Sequence, residues 1–244
     1  MWTALLLGSL ATLSLGLLDC SVKQQHVAQN QVTAFSLSDL PYAYDFLAPA
    51  LSAKQVYLHH DKHHQRYVDN LNACVQADPA KAGLTLLQLL KNYPACPCVQ
   101  KHAGGHYNHL MYWWTLTAPQ CSGSPQGPLA LAINAKWGSF AGFKSAFDTE
   151  AKANFGSAWT WLCANATDAT LLITSTANQI NPLMQGQATE CLPVLTLDQW
   201  EHAYYVQYLY KRDDYTDHWW RAVDWSVVSG FYANYALNGQ AVPF

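Results

Sequence analysis

Three imidazoles and one carboxylate, His59, His109, His202 and Asp198, make a set able to hold a redox-active metal ion. Asp198 and His202 stand four residues apart, so both can converge on one ion, and His59 and His109 bring two more nitrogens from separate segments. Neutral imidazole with anionic carboxylate suits manganese and iron in their divalent and trivalent states. No cysteine falls inside these clusters, which argues against a soft thiolate site, and the spacing lacks HExxH. Taken alone, each histidine is better read as a core histidine; the case rests on the four together. Their neighbourhoods are distinctive: LHHDKHHQRY, GGHYNHLMYWW and LDQWEHAYY.

Elements from both halves of the chain must position this set. From about 51 to 78 the pattern is helical, with Val56, His59, His63, Tyr67 and Asn70 recurring at three and four on one face. Asp78-Pro79 stops that helix. A second helix is predicted over 84–91. Asn92 to Cys98 breaks it, and a third runs to about Leu116, with His109 and Trp113 one turn apart. Residues 119–128, PQCSGSPQGP, form a loop, followed by helices over 129–135 and 139–153. After Gly156 the period changes. Ser157 to Ala164, Thr170 to Ser175 and Cys191 to Leu197 read as antiparallel strands, with Asp198 at the end of the third and His202 in the following turn. Tyr215 to Val223 and Trp225 to Tyr235 read as helices. The fold class is α+β: an N-terminal helical hairpin domain over 35–120, then a mixed α/β domain over 121–244 with a three-stranded antiparallel sheet surrounded by helices.

The chain has 244 residues, half of them hydrophobic and 12% charged, enough to bury a sizeable core. A formal charge of −3 gives no general attraction to nucleic acid. Residues 2–18 are apolar and uncharged, short for a membrane span, and read as part of a signal peptide over 1–19, followed by a polar N-terminal extension over 20–34. No stable membrane span is expected once that peptide is removed. Seven cysteines fit an oxidising destination; a cut beyond Cys20 would leave six and a cut before it an odd thiol. Asn165-Ala166-Thr167 is a glycosylation sequon between two apolar runs, so an N-glycan at Asn165 is expected with secretion or residence in the secretory lumen.

Six ordered stretches carry a resemblance: LPYAYDFLAP at 40–49, LHHDKHHQRYVDNLN at 58–72, AGGHYNHLMYWW at 103–114, FGSAWTWL at 155–162, STANQINPLM at 175–184 and LDQWEHAYYVQY at 197–208. Together they closely resemble the iron/manganese superoxide dismutases, over nearly everything from residue 35 to about 235. The resemblance implies one metal ion per subunit, held by His59, His109, Asp198 and His202 with a bound water or hydroxide as fifth ligand. The implied reaction is disproportionation of superoxide to dioxygen and hydrogen peroxide through alternating trivalent and divalent metal. Gln179 is then expected to contact the bound solvent, and Tyr67 to contact Gln179, gate access and relay protons. His63 is expected at the mouth, against Tyr205 of a second copy of the chain, and Glu201 is expected to reach the other copy's His202. A homodimer or a dimer-based tetramer follows. Trp159, Trp200, Trp161 and Tyr112 form an apolar wall, with core packing the main role of Trp161. Gln179 together with glycine at 105 points to manganese, with iron as the alternative.

Several residues depart from the family pattern. His102 stands where asparagine is usual, and Asp213 where proline is common. The cysteines are many. Cys163 and Cys191 lie in neighbouring predicted strands and can bridge; Cys96 and Cys98 are too close to pair readily with each other, leaving Cys74 and Cys121 as candidate partners. His60, His64, His106 and His218 have no compelling ligand role, and the second histidine of each pair is expected to be structural or exposed. Lys62, Lys211 and Arg212 are candidates for drawing an anionic substrate to the entrance. A secreted structural or metal-binding protein on the same scaffold, including a subunit of a larger assembly, is the alternative to an enzyme.

Overall fold

A computed structural model describes Cys20, residues 34–184, Gly186 and residues 190–244. The expected signal peptide and nearly all of the N-terminal extension lie outside the described residues. The first helical run begins at Ser52, whose hydroxyl accepts from the Gln55 amide and caps α1 (Ala53–Leu58). The chain continues without a break through a π-helical turn (His59–His64) into α2 (Gln65–Gln76). The three-and-four spacing predicts a plain α-helix there; apolar spacing does not register a local change to i→i+5 bonding. Asp78 caps a single 3-10 turn that starts at Pro79. A capping box, Thr85 with Gln88, opens α3 (Leu86–Asn92).

Pro97 occupies the first turn of α4 (Pro97–Trp114), where its missing N–H is no loss. From Ala103 to Trp113 every residue of α4 is buried, so this helix is the axis of the hairpin rather than a surface helix. It packs along α2, and Tyr42 closes the hairpin by donating to the Trp113 carbonyl at 2.9 Å.

The second half begins with α5 (Gly127–Trp137), ended by Gly138 at φ 76°, and α6 (Phe140–Ala153), capped by Ser139. Strands β1 (Ala158–Ala164), β2 (Leu171–Ala177) and β3 (Leu192–Asp198) form an antiparallel sheet in the order β2-β1-β3. Central β1 is buried throughout, as is β3, while β2 is half-buried. Pro193 is tolerated because β3 is an edge strand, and the β1–β3 register shifts at Leu162/Cys163. A 3-10 turn (Glu201–Ala203), α7 (Tyr205–Tyr208), α8 (Arg212–Ala222) and α9 (Trp225–Asn234) follow. The hairpin-then-sheet α+β architecture is the one the sequence predicts. Among the described residues no helix is long and apolar enough to cross a membrane.

Cys163 and Cys191 are disulfide-bonded, as their strands suggested. Of the two candidate partners for Cys96 and Cys98, Cys74 is borne out and Cys121 is not. Cys74 on α2 bonds Cys98 in the first turn of α4, Cys20 bonds Cys121, and Cys96 is the free thiol. The odd cysteine is thus Cys96, and Cys20 belongs to the bonded set.

Candidate metal centre

The hairpin supplies two imidazoles and the sheet end supplies the rest. His59 opens the π turn, His109 lies in the buried stretch of α4, Asp198 is the last residue of β3, and His202 sits in the 3-10 turn beyond it. Their potential ligand atoms all lie within 4.8 Å of one another. Asp198 Oδ2 is 3.1 Å from His59 Nε2, 3.0 Å from His202 Nε2 and 3.8 Å from His109 Nε2. His59, His109 and Asp198 are fully buried.

Local hydrogen bonds fix the direction of each group. His109 Nδ1 is 2.6 Å from the Gly105 carbonyl, which can only accept. Nδ1 therefore carries the proton, and the Nε2 lone pair points into the cluster. Trp200 N donates to Asp198 Oδ1 at 2.9 Å, leaving Oδ2 for the cluster. Gln55 Nε2 donates to the His202 carbonyl at 2.6 Å and ties the turn to α1. The Nε2 atoms of His59 and His109 are buried without a hydrogen-bond partner. Two orphaned nitrogens beside a buried carboxylate would be costly in a purely structural core, and a cation accounts for both. Burial pushes Asp198 up, but His202 and His59 outweigh it and hold the carboxyl below the usual carboxylate range. Burial lowers His59 to about 4. Burial likewise lowers His109, so His59 and His109 are neutral beside an anionic Asp198, the donor state a divalent or trivalent cation requires.

Around this cluster Gln179, 2% exposed, donates from Nε2 to the Tyr67 hydroxyl at 2.9 Å. Its Oε1 accepts from Trp159 Nε1 at 3.1 Å and Asn108 Nδ2 at 3.2 Å. The amide is thereby oriented, and one Nε2 hydrogen remains unspent. Burial raises Tyr67 to about 12, so its phenol holds its proton at neutral pH. Gly105 permits the close approach: a Cβ there would lie 2.5 Å from Tyr67 Cδ1. A Cβ on Gly104 would lie within 3.0 Å of the Met184 methyl and closer still to the Gln179 carbonyl.

The aromatic wall is present. Trp159 meets His109 edge-on at 5.1 Å, Trp200 stacks on His202 at 5.2 Å, and Tyr112 lies 5.3 Å from His59. Trp161 stacks behind Trp159 and donates to Thr176 Oγ1, a packing position. His63 is exposed, with its ring 4.7 Å from that of His202; Glu201 and Tyr205 are also exposed.

Three features escape sequence reasoning. Asn108 braces Gln179 and accepts from Asn181 at 2.8 Å, yet as a residue next to His109 it carries no pattern of its own. Trp113, read only as a neighbour one turn from His109, packs on His59 at 4.7 Å. His60 and His64 are both buried, the structural of the two expected alternatives, but their partners carry no sequence signal. His60 bonds the Ser38 carbonyl, and His64 Nε2 meets His106 Nδ1 at 2.8 Å while stacking on His109.

Comparison with known proteins agrees in both halves. The family described as iron/manganese superoxide dismutases, alpha-hairpin domain, matches residues 34–117, and the corresponding C-terminal domain matches residues 125–230. "Superoxide dismutase [Mn] 3" of Leptolyngbya boryana is 39% identical over 198 residues, 79% of this chain and 80% of its own length. "Superoxide dismutase [Mn] 1" of the same organism is 41% identical over 202 residues, covering 81% and 80%. "Superoxide dismutase [Mn]" of Bordetella pertussis is 40% identical over 203 residues, covering 81% and 93%.

Proposed function

Because the chain belongs to the iron/manganese superoxide dismutases, we propose a division of labour among its own residues and manganese as its working metal. The chain is a superoxide dismutase, and the observation that carries this is the buried convergence of three Nε2 atoms on Asp198 Oδ2. A metal held by these four side chains would supply one-electron redox chemistry between its trivalent and divalent states, by which two superoxides and two protons become dioxygen and hydrogen peroxide.

His59, His109, His202 and Asp198 hold the ion. Trp159 and Asn108 lock the Gln179 amide plane, so its free amide hydrogen would be available to solvent bound by the metal. Tyr67, protonated at working pH and bonded to Gln179, holds a proton at its hydroxyl for delivery to reduced substrate. Trp159 and Trp200 exclude water and stiffen the ring planes of His109 and His202. Manganese is supported by Gln179 as the amide donor, by glycine at 105 and by the manganese named in the relatives' descriptions.

A homodimer or dimer-based tetramer is supported by the exposure of His63, Glu201 and Tyr205 beside the centre. In that arrangement His63 meets Tyr205 and Glu201 meets His202 across the interface. Secretion is supported by the apolar residues 2–18, the three disulfides and an exposed Asn165 in the β1–β2 turn, the proposed N-glycan site. The domains divide at about residue 120. The test is metal analysis of purified protein with dismutation assayed before and after loading with manganese or iron. Activity restored by manganese and not by iron is expected; metal-replete protein without turnover sinks the catalytic reading, and equal activity with iron sinks the manganese assignment.

A further inference from the structure

Superoxide is an anion and the chain carries a formal −3, so its arrival depends on where a few cations stand. The three cations expected at the entrance are engaged elsewhere. Lys62 lies 5.2 Å from the Tyr57 ring and lines a separate cavity with Asp39 and Asp61. Lys211 pairs with Asp214 at 3.8 Å, and Arg212 donates to the Asn154 carbonyl at 3.0 Å.

Two other cations are placed differently. Arg66 is exposed, directly before Tyr67 and three residues after exposed His63. After burial, its charge is among the influences on His63, Tyr67 and His102 alike, so it stands within electrostatic reach of all three. Lys101 is exposed on α4 and lines a cavity of about 370 Å³ with Gln179 and Trp200, two residues that enclose the metal cluster. His102 feels both charges, and its ring is 6.2 Å from that of Tyr67. Among the described residues neither cation is in an ion pair, and Asp69, the carboxylate one turn from Arg66, accepts instead from Gln65 at 2.7 Å. Uncompensated positive charge therefore sits on the side of the centre where Tyr67 and Gln179 meet.

We infer that Arg66 and Lys101 form a cationic rim that captures superoxide and steers it along the Tyr67–Gln179 side of the centre. They act on approach and not on the electron-transfer step, so the effect belongs in kcat/KM and its salt dependence. The inference rests on the dismutation reading. Charge attraction across such a mouth raises association about tenfold or more at low salt and fades once the screening length falls to about 8 Å near 0.15 M.

The test uses metal-loaded protein with Arg66→Gln and Lys101→Gln combined. Its kcat/KM, followed by pulse radiolysis, is expected to fall about three- to tenfold at low ionic strength and to lose most of its salt dependence. Metal content and melting temperature should be unchanged. Arg66→Lys with Lys101→Arg should restore both rate and salt slope, and Lys62→Gln should change the rate less than about twofold. Azide affinity, read by optical titration without turnover, should weaken in parallel. A double Gln variant with wild-type rate, salt slope and azide affinity overturns the rim. A wild-type protein that is metal-replete but inactive overturns the dismutation reading instead, and the azide arm still decides whether the rim attracts anions.

Discussion

Replacing Gly105 by alanine tests how closely Tyr67 is seated against α4. An added Cβ would lie 2.5, 2.7 and 2.9 Å from Tyr67 Cδ1, Cγ and Cε1. Carbon atoms normally meet at about 3.5–4.0 Å, so the ring must retreat by about 1 Å. A retreat of that size along the Gln179 Nε2 to Tyr67 hydroxyl direction stretches the 2.9 Å bond beyond hydrogen-bonding range. Overpacking costs about 1–3 kcal/mol and the broken half-buried bond about 1 kcal/mol. At roughly 2–4 °C per kcal/mol for a chain of this size, the melting temperature should drop by about 5–10 °C. Loss of the oriented phenol should lower turnover about tenfold, the equivalent of 1.4 kcal/mol. Calorimetry and stopped-flow dismutation read the two effects separately. Tyr67→Phe removes the same hydrogen bond while keeping the ring, so the rate losses of Gly105→Ala and Tyr67→Phe should not add, while the steric cost of Gly105→Ala should persist in the double variant. Full additivity in rate, or a Gly105→Ala protein with wild-type melting and turnover, would refute the reasoning.

Three other outcomes are expected. Asn108→Ala strips the Asn181 amide of its acceptor and frees the Gln179 amide to rotate; stability should fall by about 1–3 kcal/mol and activity about tenfold, measured by urea unfolding and steady-state assay. Cys163→Ser with Cys191→Ser opens a 28-residue loop and should cost about 3.5 kcal/mol in the chain-entropy account, seen as a shifted denaturation midpoint under non-reducing conditions. Burial lowers His106 from 6.5 to about 3, so the unfolded chain binds the extra proton between those values. The stability this contributes is present above about pH 6.5 and is lost as pH falls towards 3, at up to about 1.4 kcal/mol per pH unit, and His106→Asn should flatten that acid limb of the unfolding curve.

Much of the centre was legible in the chain because its four ligands sit in long, ordered, unusual segments whose joint occurrence is specific. The strand ends were legible too, since alternation resumes after Gly156 and places Asp198 where β3 stops. What stayed hidden depends on the third dimension. Cys74 faces Cys98 because α2 and α4 pack side by side, and no spacing rule selects that pairing over its rivals. His64 and His106 pair across the same contact, although each looks in sequence like a spare polar residue. Lys62 adjoins the ligand segment yet turns towards Tyr57, a contact that proximity along the chain does not reveal.

The π turn at His59–His64 has a consequence for length rather than composition. His59 and Tyr67 are eight residues apart, and a regular α-helix at 100° per residue would leave them about 80° out of alignment. The wider turn advances each residue by roughly 80°, so five such steps and three ordinary ones bring the pair back to nearly one direction. The ion-binding ring and the proton-holding phenol therefore share an azimuth across eight residues because the π turn takes up the one residue by which their spacing exceeds two α-helical turns. A single-residue deletion between His60 and Lys62 would leave seven steps that a regular α-helix covers in about 700°, so the pair would stay aligned while the π turn reverted to α-helix. The π turn thus works as a length buffer, holding the ring and the phenol on one side of the helix across a spacing that a regular α-helix would not tolerate.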